Sequence, residues 1–168
     1  ANGTAGAADY TAISNGTVSF PANSNASQTV NVVINNDALD EDDETYSLTL
    51  SGLTATGNVS LGTATASATI QDDDATPTLT ISSPSQNEGN SGSAPMNFVA
   101  SLSAVSGRTV SFTAATANGS ATAPGDYVAL AATPFTIAAG QSSVTIPVTI
   151  NGDTTFEGNE SFSLNLTA

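Results

Sequence analysis

The sequence contains no cysteine, histidine or tryptophan, and Arg108 is its only basic residue. Without cysteine, neither disulfides nor thiolate chemistry can hold the chain together. Because histidine, cysteine and lysine are all missing, the chain cannot build a Ser-His-Asp or Cys-His catalytic site. A glycosidase would place two opposed carboxylates in a sugar-binding cleft, and no tryptophan is available as a sugar platform. We therefore expect that the protein is not an enzyme.

Long apolar runs are absent too. No stretch approaches the ~20 residues of a membrane-spanning helix, and the N-terminal "ANGTAGAADY" lacks the basic and apolar regions of a signal peptide. Any export signal would therefore lie outside this segment. Only 10% of the residues are charged, yet 15 acidic residues against one basic residue give a net charge of -14. This charge repels nucleic acid and anionic lipid, so we expect no nucleic-acid binding and no membrane insertion.

The acidic residues lie in clusters instead of being spread over the surface. A solvated acidic face would be interleaved with lysine, and the sequence has none. Carboxylates packed within several ångströms repel one another strongly unless a cation lies between them. Calcium suits such a set, because it takes about six to eight oxygen ligands from carboxylates and carbonyls. The acids lie at position 9, in 37–44, in 72–74, at 88, at 126 and in 153–160.

Apolar residues alternate with polar ones along much of the chain, which is the pattern of half-buried β-strands. Glycine, proline, asparagine and aspartate separate the runs, and no stretch shows an apolar stripe with helical spacing. Short strands joined by turns predict antiparallel β-sandwiches. The alternating runs cover residues 30–34, 46–50, 64–70, 79–81, 96–98, 110–112, 144–150 and 162–166.

An internal repeat relates the beginning of the chain to its end. Asp9 and Asp126 are 117 positions apart, and the later matches are 116 apart. Those matches are Asp37 with Asp153, Glu41 with Glu157, Glu44 with Glu160, and Tyr46 with Phe162. A repeat of this length does not fit twice into 168 residues. The first copy begins shortly before "ADY" and ends with "ATIQDDD", and the second begins at "TPTLTISS" and stops at "SFSLNLTA".

The order of these motifs closely resembles the Calx-beta domain, a repeat named from sodium–calcium exchangers and an integrin β subunit and widespread in large bacterial surface proteins. The resemblance rests on "NEG", "GDY", the acidic hairpin ending in E-x-F or E-x-Y, and "GTATASATIQDDD". It implies an all-β fold of tandem immunoglobulin-like antiparallel β-sandwiches, both incomplete in this segment. Residues 1–74 would be the C-terminal part of one domain, and residues 75–168 a second domain lacking its closing strand.

The resemblance also implies calcium ligands in each copy. In the first copy they are Asp9, Asp37, Glu41, Glu44, Asp72, Asp73, Asp74 and the backbone carbonyl of Leu39. In the second they are Glu88, Asp126, Asp153, Glu157, Glu160 and the carbonyl of Thr155. The second copy has Gly152 and Gly158 where acids or polar residues often enrich the hairpin, so we expect the first copy to bind calcium more tightly or in greater number. We expect Asp40, outside the ligand positions, to matter little.

Other interpretations of the same residues fit the sequence less well. An EF-hand needs glycine at the sixth position of its loop, where "DALDEDDETYSL" has Asp42. Tyr10 and Tyr127 are better explained as packing residues that orient the turn than as reactive groups. Tyr46 lies in a strand alternation and is expected in the core.

These observations predict a calcium-binding structural repeat of a large extracellular surface protein, an adhesin or a filament of bacterial origin. Its partners would be adjacent repeats or neighbouring subunits, with a cell-surface or glycan ligand. A regulatory calcium sensor and a carbohydrate-binding module are the alternatives. Half a sandwich would expose strand edges and an apolar face, so Val30, Val32, Tyr46 and Leu48 are expected to face a second chain or open space.

Overall fold

All regular structure in the described part of the chain is β-strand. The structure, a computed structural model, describes residues 2–167, and all strand pairs within them are antiparallel. The predicted all-β class with antiparallel sheets is thereby confirmed. No helix among these residues could span a membrane. The strands are β1 (Tyr10–Thr11), β2 (Val33–Ile34), β3 (Glu44–Thr49), β4 (Thr65–Ile70), β5 (Leu79–Ile81), β6 (Ser93–Leu102), β7 (Val110–Ala117), β8 (Thr133–Ile137), β9 (Ser143–Asn151) and β10 (Ser163–Thr167).

The chain divides into two compact units, Ala1–Asp74 and Ala75–Ala168, called here the first and the second unit. The second unit is a sandwich of two three-stranded sheets, with strand orders β5-β6-β9 and β10-β7-β8. Alternate residues of β9 point inward, so that Ile146, Val148 and Ile150 are buried while the residues between them are exposed. They pack with Phe98 of β6 and Phe112 of β7 in a single apolar core.

The first unit has two separate two-stranded sheets, β1-β2 and β3-β4. Ala5 and Tyr10 are the only buried hydrophobic residues among its described positions. Phe20 and Val59 are each 64% exposed. The four side chains expected to face a partner or open space are all half-buried. These four side chains therefore do not lie in a closed core formed by the described residues of this unit.

The strand predictions were wrong in three places. Strand β1 was not predicted, because its two residues are too few to show an alternation. The run at 30–34 forms a strand only at Val33–Ile34. Strand β8 was not predicted, because its sequence TPFTI carries Pro134 and a short alternation. Strand β8 lies at a sheet edge, where proline is tolerated because its missing N–H is not needed for a hydrogen bond to a second neighbouring strand.

Candidate metal centre

A tight turn orients Asp9 at the start of β1. The Gly6 N–H donates to Asp9 Oδ2 at 2.5 Å. The Asp9 carbonyl accepts the Asn35 N–H at 2.9 Å, and the Asn35 side chain donates to the Ala8 carbonyl at 2.9 Å. Because Asn35 directly follows β2, these bonds fix Asp9 beside the acidic hairpin that comes next in the chain.

The hairpin before β3 supplies most of the other acids. The Leu39 N–H donates to Asp37 Oδ1 at 2.9 Å, which turns the chain back toward β3. Glu44 is the first residue of β3 and pairs with Ile70, the last residue of β4. Since β4 ends there, Asp72 follows within two residues, and its N–H donates to Asp43 Oδ1 at 3.1 Å. The β3-β4 pairing thus brings together acids distant in sequence.

These elements enclose one concavity within the first unit. It is lined by all eight residues predicted as ligands in the first copy, together with Asn35, Asp42 and neighbouring residues. At its centre, Asp9, Glu41 and Glu44 each offer a carboxylate oxygen within 4.8 Å of the others. We call this trio the first carboxylate cluster. The ligand role of these residues remains a prediction.

The environment of the two glutamates in the first carboxylate cluster disfavours their ionisation. Partial desolvation raises the pKa of Glu41 above 4.5, and repulsion from Asp37 and Asp9 adds to the rise. The pKa of Glu44 is raised by partial desolvation, by a hydrogen bond between its carboxyl and Asp9, and by the charges of Asp9 and Glu41. A cation among these oxygens would reverse the balance, because it favours the ionised form.

A second carboxylate cluster occupies the equivalent position in the second unit. Asp126, Glu157 and Glu160 bring one oxygen each within 4.8 Å of the others. The turn is built in the same way, because the Thr122 N–H donates to Asp126 Oδ2 at 2.6 Å. The Asn151 N–H donates to the Asp126 carbonyl at 2.9 Å, as Asn35 does to Asp9.

The remaining predicted residues of the second copy lie around this cluster. The Thr155 N–H donates to Asp153 Oδ1 at 2.6 Å. Partial desolvation raises the pKa of Glu157, followed by the charges of Asp153, Asp126 and Glu88. The pKa of Glu160 is raised by desolvation, then by Asp126, Glu157 and Glu88. Both glutamates are exposed, whereas Glu41 and Glu44 are half-buried.

Gly152 has a steric role that the sequence did not reveal. A Cβ at this position would lie 2.6 Å from the Glu88 carbonyl oxygen and 2.8 Å from that of Gly89. The glycine therefore permits the segment carrying Glu88 to approach the hairpin. An acidic residue could not take the place of Gly152 without displacing that backbone. A Cβ on Gly158, in contrast, would meet nothing within 4 Å.

Asp40 differs from the expectation that it would matter little. Its side chain is buried, with 6% of its surface exposed. Phe156, the equivalent residue of the second unit at the same 116-residue spacing, is fully exposed at 101%. Because a buried carboxylate is costly to desolvate, we expect Asp40 to have a structural role in the first unit. The packing role expected of Tyr10 and Tyr127 is confirmed, because both are buried.

The donor set suits calcium. Both clusters offer oxygen atoms, and the sequence has no histidine or cysteine to supply the nitrogen or sulfur ligands preferred by softer metals. One basic residue cannot neutralise 15 carboxylates. The hairpin oxygens could also adapt to the flexible geometry of a calcium shell. The residues present therefore fit a hard divalent cation in each unit.

Comparison with known proteins addresses the family to which the chain belongs. No curated protein matches the chain. A crystal structure of CBD12 from CALX1.2 is 21% identical, with a TM-score of 0.46, and the match covers 81% of this chain and 52% of that one. The chain thus spans about half the length of that structure. The model of the Calx-beta domain matches residues 1–74 and again residues 75–168. The chain therefore belongs to the Calx-beta domain family and carries two matches to it in tandem.

Proposed function

We propose that this chain is a calcium-binding structural repeat of a large extracellular surface protein. Calx-beta domains bind calcium in sodium–calcium exchangers, and they occur in extracellular or cytoplasmic regions of membrane proteins. The observation that carries calcium binding here is the recurrence of one trio, aspartate with two glutamates, in both units. Each trio lies on the same turn and hairpin, and lysine is absent from the sequence.

Calcium would stabilise each unit by two effects. An ion that binds only the folded state stabilises it by mass action, and it also removes the repulsion among the carboxylates. Extracellular calcium modules have dissociation constants of roughly 10⁻⁴ to 10⁻³ M. At about 10 mM free calcium, one such site contributes roughly 1.4 to 2.7 kcal/mol. For a domain of this size that corresponds to a melting temperature higher by about 5 to 20 °C.

The experiment is a melting curve of the whole chain in calcium and in excess chelator. We expect the melting temperature to fall in chelator, and magnesium to restore little of it because magnesium demands a more regular shell. An identical melt in calcium and in chelator would rule out the proposal.

The junction between the units supports a rigidifying role. Only Ala75 and Thr76 separate Asp74 from Pro77, which is too short for a flexible tether. Because Asp72 to Asp74 line the first concavity and also end the first unit, calcium there would restrict the chain at the junction. We expect small-angle scattering profiles to differ with and without calcium, and coincident profiles would contradict this role.

A regulatory calcium sensor is the second candidate, and the same short junction favours it, since binding at the end of a unit could change an interdomain angle. Affinity distinguishes the two. A sensor should titrate at about 10⁻⁷ to 10⁻⁵ M calcium, and a structural module at roughly 10⁻⁴ to 10⁻³ M.

A further inference from the structure

A tetrapeptide with the pattern Asn-Gly-Ser/Thr-Ala precedes the aspartate turn in both units. We call residues 2–5 and 118–121 the Asn-Gly segments. In the first unit, the N–H groups of Gly3 and Ala5 donate to the Thr45 carbonyl at 3.1 and 3.0 Å. The Thr45 N–H donates to Thr4 Oγ1 at 2.8 Å. Thr45 directly follows Glu44, so the segment is bonded to the backbone that carries a cluster glutamate.

The second unit repeats two of these three contacts, and the Gly119 N–H donates instead to the Ala121 carbonyl at 3.1 Å. The Ala121 N–H donates to the Ser161 carbonyl at 3.0 Å, and the Ser161 N–H donates to Ser120 Oγ at 2.9 Å. Ser161 directly follows Glu160. Glycine is required in both segments, because a Cβ on Gly3 would lie 2.5 Å from the Thr45 oxygen and one on Gly119 would lie 2.3 Å from the Ser161 oxygen.

The asparagine of each segment bonds the tyrosine that follows the cluster aspartate. Tyr10 donates its hydroxyl to Asn2 Oδ1, and Tyr127 to Asn118 Oδ1, both at 2.6 Å. The tyrosines are 5% and 1% exposed, so their hydroxyls need a protein partner.

Each tyrosine ring also stacks on the aromatic residue two positions after the second glutamate of its cluster. Tyr10 lies on Tyr46 with centroids 4.7 Å apart, and Tyr127 lies on Phe162 at 4.3 Å. Two connections therefore join the aspartate of each cluster to its second glutamate. The stacked rings form one through side chains, and the Asn-Gly segment forms the other through its hydrogen bonds to the backbone next to that glutamate.

We propose that the Asn-Gly segment, with its tyrosine, is a positioning element that sets the separation of the aspartate and glutamate carboxylates of each cluster for cation binding. This rests on the proposed calcium function. Ligand geometry in metal sites depends on residues that orient the ligands, and replacing such residues weakens metal binding by about 10- to 100-fold.

The test is a calcium titration of the whole chain followed by NMR, in which amide signals of Asp9 and Leu39 report the first cluster and those of Asp126 and Thr155 the second. Tyr127→Phe removes one hydroxyl and keeps the ring. We expect it to weaken calcium binding at the second cluster by about 10-fold and to leave the first unchanged. Tyr10→Phe should give the reciprocal result.

Phe135→Leu is the matched control. Phe135 stacks on Phe112 in the same unit, with ring centroids 6.2 Å apart. Neither of these two residues belongs to the second carboxylate cluster. Its replacement should lower the melting temperature in chelator without changing calcium affinity. Should Tyr127→Phe behave in the same way, or weaken both clusters equally, the positioning role is refuted. A wild-type chain whose signals do not respond to calcium would instead refute the proposed function.

Discussion

Replacing Glu44 with glutamine should affect the first unit differently with and without calcium. Glu44 lies within 4.8 Å of Asp9 and Glu41, and each pair of unit charges at that separation repels by about 0.9 kcal/mol in a water-like dielectric. That dielectric is appropriate because the side chains are half-exposed, and salt reduces the repulsion further. In chelator, we therefore expect Glu44→Gln to stabilise the first unit by up to about 1 kcal/mol.

In calcium, the same substitution removes a carboxylate ligand. If affinity falls at least tenfold, the increase in stability that about 10 mM calcium gives to the first unit shrinks by at least about 1 kcal/mol. Glutamine can still donate a hydrogen bond to Asp9, as the protonated glutamate does, so the comparison isolates the charge.

Hydrogen exchange of the β3 and β4 amides, measured on the whole chain in calcium and in chelator, localises the effect to the first unit. Glu160→Gln is the matched control, because it makes the same change at the equivalent residue of the second unit and should leave these amides unaffected. The reasoning is refuted if Glu44→Gln destabilises β3 and β4 in chelator, or if the calcium-dependent protection persists undiminished.

Three further predictions concern pH and two structural residues. The raised pKa values of Glu41 and Glu44 mean that the folded, calcium-free protein binds protons more tightly than the unfolded chain, so its stability should fall as pH rises from about 4.5 toward neutrality. With calcium the slope should reverse because protons compete with the ion, and parallel melting-temperature profiles would contradict this. Gly152→Ala should weaken calcium binding at the second cluster, since its Cβ would displace the Glu88 backbone, whereas Gly158→Ala should titrate as wild type. Asp40→Asn should lower the free energy of unfolding by about 1 kcal/mol or more even in chelator, and an unchanged melting temperature would support the minor role first expected for Asp40.

The strands with strong period-two alternation were predictable from the sequence. In β9, three of the four apolar residues expected to point inward are buried and Val144 is half-buried, because burial of one sheet face selects that pattern directly. The acids of the two clusters could also be found in the sequence, because the repeat spacing aligns Glu41 and Glu44 with Glu157 and Glu160.

The contacts between the Asn-Gly segments and the strands that follow the hairpins could not be predicted, because they join residues distant in the chain. The segment at 2–5 bonds Thr45 across 40 or more positions, and nothing in its composition signals that partner. Burial of Asp40 and the steric need for Gly152 likewise depend on the neighbouring segment and not on the residue itself. The signal that could have revealed the Asn-Gly segment is its recurrence, as NGTA and NGSA, at the repeat spacing.

The most direct test of the central claim is a calorimetric titration of the whole chain with calcium, alongside a chain carrying both Glu44→Gln and Glu160→Gln. Each substitution removes one member of a carboxylate cluster in one unit. We predict that the wild-type chain binds calcium with dissociation constants no weaker than about 10⁻³ M and that the double variant binds at least tenfold more weakly. A wild-type chain that binds no calcium up to about 10 mM, or a double variant that binds as the wild type does, would contradict the assignment of these clusters as calcium sites.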